Sequence, residues 1–220
     1  MKDIVIKIQS YYSQIAVFFV VFYLVGITGT LLPVSFHLFT KLIPFALLLS
    51  AIGLILFHSD LNKKSMIIFA IIYITGFVTE LIGVNTGAIF GSYYYGNSLG
   101  LSLWNTPLII GLNWLLLVYL TSSILEKTNF HVLLKVLTAA LLMVVYDIII
   151  EQVAPLLDMW YWEKNKVPFQ NYAAWLIIAI LFQSLIKRFK VNTTNKLASV
   201  ILICQTVFFL VLTFTLQNNN

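Results

Sequence analysis

Charge is scarce in this 220-residue chain: 10% of residues carry it, eight acids against thirteen bases. A soluble domain usually carries about a quarter, so the shortage excludes a separate soluble domain. The single cysteine, Cys204, excludes an internal disulfide and a cysteine-based metal site. His37, His58 and His131 stand far apart at segment ends, and no pair has metal-ligand spacing. They read as boundary residues, and no metal is expected. Asp-rich diphosphate motifs are missing, and residues 79–100 hold no Lys or Arg to grip a phosphate. No internal repeat or coiled coil is visible, and the terminal "NNN" is the one low-complexity tract. The first apolar run is long and no small-residue cleavage site follows it, so no cleavable signal peptide is expected.

What the chain has is apolar length. Sixty per cent of it is hydrophobic and its mean hydropathy is +0.96. About 20 apolar residues cross a bilayer core, and seven runs approach that length: 15–32, 41–57, 65–82, 107–125, 132–150, 172–187 and 196–216. The expectation is all-α: one polytopic membrane helix bundle over residues 1–220, with the lipid bilayer as its first partner. The net charge of +5 follows topology and implies no nucleic acid. Ten of the thirteen cations fall at the N-terminus and in the loops on one side, whereas Lys41, Lys164 and Lys166 fall on the other. The positive-inside rule then places the N-terminus in the cytoplasm and the C-terminus outside a cell membrane.

Seven of the eight acids divide into two groups. Asp3, Asp60 and Glu126 sit near loop lysines and read as solvated charges. Glu80, Asp147, Glu151 and Asp158 follow apolar runs, and charge at membrane depth points to function. The third and fifth spans cross in the same direction, so Glu80 and the Asp147–Glu151 pair end on one side. The i,i+4 spacing of that pair gives both one helix face. A helix C-terminus and apolar burial each disfavour a carboxylate anion. At least one neutral carboxyl group is therefore expected beside an ionised neighbour, the arrangement that separates a general acid from a base. The alternative is that Tyr, Asn or Trp donors pair with these acids and simply hold helices together.

Around the acids lies "TELIGVNTGAIFGSYYYGNSLG" (79–100), with glycines at 83, 87, 91, 96 and 100 and Tyr93 and Tyr95 in its tyrosine run. The glycine spacing fits either a smooth helix face or a re-entrant loop. "GLNW" contributes Asn113 and Trp114, the former a hydrogen-bond partner for a carboxyl group. After Asp147 come Trp160, Trp162, Asn171, Tyr172 and Trp175. These read either as an interfacial aromatic belt or as a pocket for a long apolar substrate, whose developing cation their π-faces would stabilise.

"TELIGVNTGAIFGSYYYGNSLG", "NTPLIIGLNW", "DIIIEQVAPLLDMWYW" and "VPFQNYAAW", in this order over residues 75–176, resemble the carotenoid biosynthesis protein family, whose characterised members are carotenoid hydratases of the CruF type. The resemblance implies addition of water across the terminal double bond of an acyclic ψ-end group, as in γ-carotene or lycopene, to give a tertiary alcohol. It implies a lipophilic carotenoid and water as substrates, no cofactor, and other enzymes of the pathway as candidate partners. The roles themselves come from position. Asp147 or Glu80 is the expected proton donor, and Glu151 orients the water. Trp160 and Trp162 stand near the cation, and Tyr93, Tyr95, Asn113, Trp114, Asp158, Asn171, Tyr172 and Trp175 complete the binding wall. The competing classes are a proton-coupled transporter, since intramembrane acids also relay protons, and a non-catalytic lipid- or carotenoid-binding membrane protein. Against the transporter, the chain lacks the repeated halves of many such proteins.

Overall fold

The computed structural model describes residues 7–217; Lys2, Asp3 and the terminal asparagines lie outside them. Six helices are long and apolar enough to cross a membrane: α1 (Tyr12–Leu31), α4 (Lys63–Thr86), α5 (Ile109–Glu126), α6 (Val132–Glu151), α7 (Phe169–Arg188) and α8 (Ala198–Leu216). The expected span 41–57 is the shorter apolar helix α3 (Ile43–Leu56), and a further short helix, α2 (Phe36–Lys41), precedes it. Pro44 in the first turn of α3 has no N–H to give to a preceding turn, so the helix restarts there. At 14 residues, α3 is the short apolar member of the bundle.

Helix α5 is the centre. Buried residues make up 72% of its membrane window, against 22–39% in the other five long helices. A helix that is apolar on every side belongs inside. Close approach between α4 and α5 depends on two glycines: a Cβ at Gly76 would lie 2.8 Å from Trp114 Cβ, and one at Gly111 would lie 2.7 Å from the Tyr73 carbonyl. Along α4, Ile72, Gly76, Glu80 and Gly83 share the buried face, the spacing of one helical stripe. That stripe carries Glu80 inward.

At the end of the bundle where α4 and α6 finish, two connections build a small lid. Helix α4 stops at Gly87, whose φ of +67° suits glycine and whose N–H closes on the Gly83 carbonyl. The chain then forms β1 (Tyr93–Tyr95), β2 (Ser102–Leu103) and β3 (Thr106–Pro107) before α5. Strand β4 (Trp160–Trp162) lies between α6 and α7. β1 pairs antiparallel with β4, with Tyr93 opposite Trp162 and Tyr95 opposite Trp160, and β2 pairs with β3. The glycines of 79–100 therefore belong mainly to a loop: of the five, only Gly83 sits within helix.

The opposite end of the bundle holds a separate polar knot. His58 Nδ1 meets the Tyr119 hydroxyl at 2.8 Å, and Asn195 Nδ2 donates to the Leu54 carbonyl and to Tyr119. Glu126 pairs with Lys187 and accepts from Thr193. It is a helix tie; the sequence suggested a freely solvated charge. His58 is likewise buried, and loss of water around it holds its imidazole below the usual histidine range.

Candidate active site

The pleat of the lid determines what reaches the interior. Side chains alternate along a strand, so Tyr93 and Tyr95 point into the bundle while Tyr94 points out and stacks on Tyr161, rings 5.3 Å apart. The partner strand does the same with Trp160 and Trp162 inward. Two short strands thus aim two phenols and two indoles at the carboxylates below.

Each carboxylate meets a different set of donors. Glu80 Oε2 accepts from the Tyr93 and Tyr95 hydroxyls at 2.6 and 2.7 Å, and its Oε1 accepts from Trp114 Nε1 at 2.9 Å. Trp114 is itself fixed by a stacked Trp175, ring centroids 4.0 Å apart. Glu151 Oε2 accepts from Trp162 Nε1 at 2.8 Å and Trp160 Nε1 at 3.1 Å. Asp147 Oδ2 accepts from Asn171 Nδ2 at 2.8 Å. No other hydrogen bond reaches Asp147 Oδ1 or Glu151 Oε1 among the described residues. Burial and the adjacent Glu80 charge push the Tyr93 and Tyr95 phenols well above the ordinary tyrosine range. They therefore remain protonated donors.

The three acids surround one cavity of about 30 Å³, room for a water or two. Tyr93, Tyr95, Trp160 and Trp162 form its lid side; Asn113, Asn171 and Trp175 line it from α5 and α7. Asn113 is 8% exposed, and its side chain makes no hydrogen bond among the described residues. Its amide lies free at the cavity wall.

Three expected residues stand elsewhere. Trp114 lies behind Glu80 and acts through that hydrogen bond. Asp158 sits in the turn before β4, with a positive φ of 54°. It accepts from the Asn97 amide and the Tyr161 hydroxyl, tying the lid from outside. Tyr172 lies at an outer rim with Lys164, Lys166 and Phe169. Conversely, Phe90 and Ile110 line the cavity, and sequence reading passes over them because apolar residues abound. Phe90 had one signal: it lies against Gly83, where a Cβ would meet its ring at 2.5 Å.

Known proteins bear on this arrangement. The bisanhydrobacterioruberin hydratase of Haloarcula japonica is 28% identical over 111 residues, covering 44% of this chain. The match spans 36% of that relative's length. No solved structure matches the chain. Residues 40–219, from the end of α2 to beyond α8, match the family described as carotenoid biosynthesis protein, and the chain belongs to that family.

Proposed function

We propose that the chain is a carotenoid hydratase that adds water across the terminal 1,2 double bond of an acyclic ψ-end group, with γ-carotene or lycopene as the substrate type. The observation that carries this reading is the water-sized cavity bounded by three carboxyl groups, two of which keep an oxygen open to it. The distant relative is named a hydratase, and its name supports the reaction class.

Hydration of a trisubstituted alkene needs a proton, a water and a place for positive charge between the two steps. Asp147 is the donor in this scheme, because it accepts only one hydrogen bond and its Oδ1 remains open. Glu80 already accepts three and is better suited as a fixed negative charge beside the cation. Proton transfer from Asp147 to the terminal alkene leaves a tertiary carbocation, faced by Trp160 and Trp162. Glu151 Oε1 and the Asn113 amide orient water, which forms the new C–O bond while its proton passes to Glu151. Return of that proton to Asp147, one helical turn away, restores the enzyme. The sum is alkene plus water to alcohol.

The lysine distribution supports a site on the outer side of a cell membrane, with the N-terminus in the cytoplasm. The reaction is tested by expressing the chain in bacteria that accumulate lycopene or γ-carotene and analysing the pigments by chromatography and mass spectrometry. A more polar pigment, heavier by one water, is expected; Asp147→Asn should abolish it at an unchanged protein level. If neither pigment is converted by well-expressed protein, the proposal fails for these substrates.

A further inference from the structure

The carboxyl cavity, at about 30 Å³, is not the largest void near this end of the bundle. A groove of about 160 Å³ opens between α1, α3 and α8. Phe22, Phe39, Phe45, Phe208 and Phe209 supply the aromatic part of its wall. Among the described residues no charged side chain lines it, so a phosphate or ammonium headgroup would find no partner there. A void of about 150 Å³ holds a group the size of benzene, and one branched isoprenoid end group is of that order.

The groove nevertheless has a polar spot. Tyr23, Gln205 and Tyr146 line it together. Tyr23 is occupied, 3.0 Å from the Ser50 hydroxyl, and Thr30, also in the wall, bonds to the Gly26 carbonyl. Tyr146 is different. It is 4% exposed, its ring packs edge-on against Phe209, and its hydroxyl makes no hydrogen bond among the described residues. The hydroxyl is thus a free hydrogen-bonding group, and it belongs to a residue lining an apolar groove. It precedes Asp147 in α6, so one turn of helix serves both the groove and the carboxyl cavity.

We propose that this groove seats the end group of an isoprenoid alcohol, with the alcohol hydroxyl bonded to Tyr146 and Gln205 and the hydrocarbon against the phenylalanines. The identification rests on the hydratase reading in one respect: the product of that reaction is such an alcohol, and the groove would hold it away from the acid that would otherwise dehydrate it. A plain acyl chain could fill the groove but would leave the Tyr146 hydroxyl unpaired.

The test uses the full chain in phosphatidylcholine nanodiscs and two diazirine probes, a C20 isoprenoid tertiary alcohol and the corresponding alkene. Labelled peptides are mapped by mass spectrometry. The alcohol should label the α1 and α8 walls about fivefold more than the alkene, the scale of one neutral hydrogen bond, and unlabelled alcohol should compete. Tyr146→Phe, which removes a hydroxyl with no partner among the described residues, should erase that preference while the gel-filtration profile stays unchanged. Ala46→Trp should block labelling by both probes. Equal labelling by alcohol and alkene, or a preference that survives Tyr146→Phe, would overturn the proposal. Because no turnover is measured, a chain that binds the alcohol selectively but hydrates no pigment loses only the reading of the preceding subsection. A chain that hydrates but shows no preference loses only this one.

Discussion

Glu80 has two oxygens and receives three donors, each from a buried or half-buried aromatic side chain. It is therefore a structural hub as well as a charge. Removing it orphans Tyr93, Tyr95 and Trp114 together, and each unsatisfied buried donor costs about 1–3 kcal/mol. Glu80→Ala should lower the melting temperature in detergent sharply. Glu80→Gln, which keeps an acceptor for Trp114 and lets the phenol hydroxyls rotate to accept from its amide, should lose much less. If the alanine variant melted with the wild type, the three hydrogen bonds would contribute nothing to stability. The sequence pointed to Glu80 because a charge deep in an apolar run is conspicuous. It could not rank Glu80 against Asp147, since that ranking depends on how many donors reach each oxygen, and those donors come from positions up to 34 residues away.

The two three-residue strands are where sequence reading had least to work with. "YYY" and "WYW" are too short to show a period and are separated by more than sixty residues, so their pairing is a long-range event with no local signature. Once paired, alternation alone decides that the outer residues of each triplet face the acids and the middle ones face away. The glycine spacing near four suggested a helix face as readily as a loop. The loop prevails because Gly87, Gly91 and Gly100 all adopt positive φ, which a continuous helix cannot contain. Gly96 serves the lid differently. Its N–H donates to the Met159 carbonyl, and a Cβ there would lie 2.2 Å from Asp158 Oδ1 and 2.3 Å from the Asp158 carbonyl oxygen. Gly96→Ala should therefore push β1 away from β4. Faster amide hydrogen exchange at 93–95 and 160–162 is expected, with unchanged exchange in α5; unaltered exchange in both strands would show that the lid tolerates the methyl group.

At the scale of the whole molecule, composition and apolar run length were enough to foresee the bundle, because a membrane helix must satisfy its own backbone and needs a fixed length to cross. Five of the six long helices start or stop within a few residues of the expected spans; α4 extends four residues further toward the lid than its apolar run implied. The short α3 keeps to the expected 41–57 span, with Pro44 in its first turn and Phe57 as its C-cap; the short α2 before it is the departure. Sidedness is the remaining global property, and the proposal for it rests on the lysines alone. The structure places Lys64 and Lys164 at exposed positions, the first just inside α4 at its polar-knot end and the second beside β4 at the lid. Replacing Cys204 with serine frees the chain of native thiols, so a single cysteine can be placed at either site. In intact cells, Lys164→Cys should react with a membrane-impermeant maleimide, whereas Lys64→Cys should react only after the membrane is opened. The reverse pattern would put the acid cavity on the cytoplasmic side. The proton for hydration would then be drawn from the cytoplasm, and the lid would face soluble partners there rather than the outer surface.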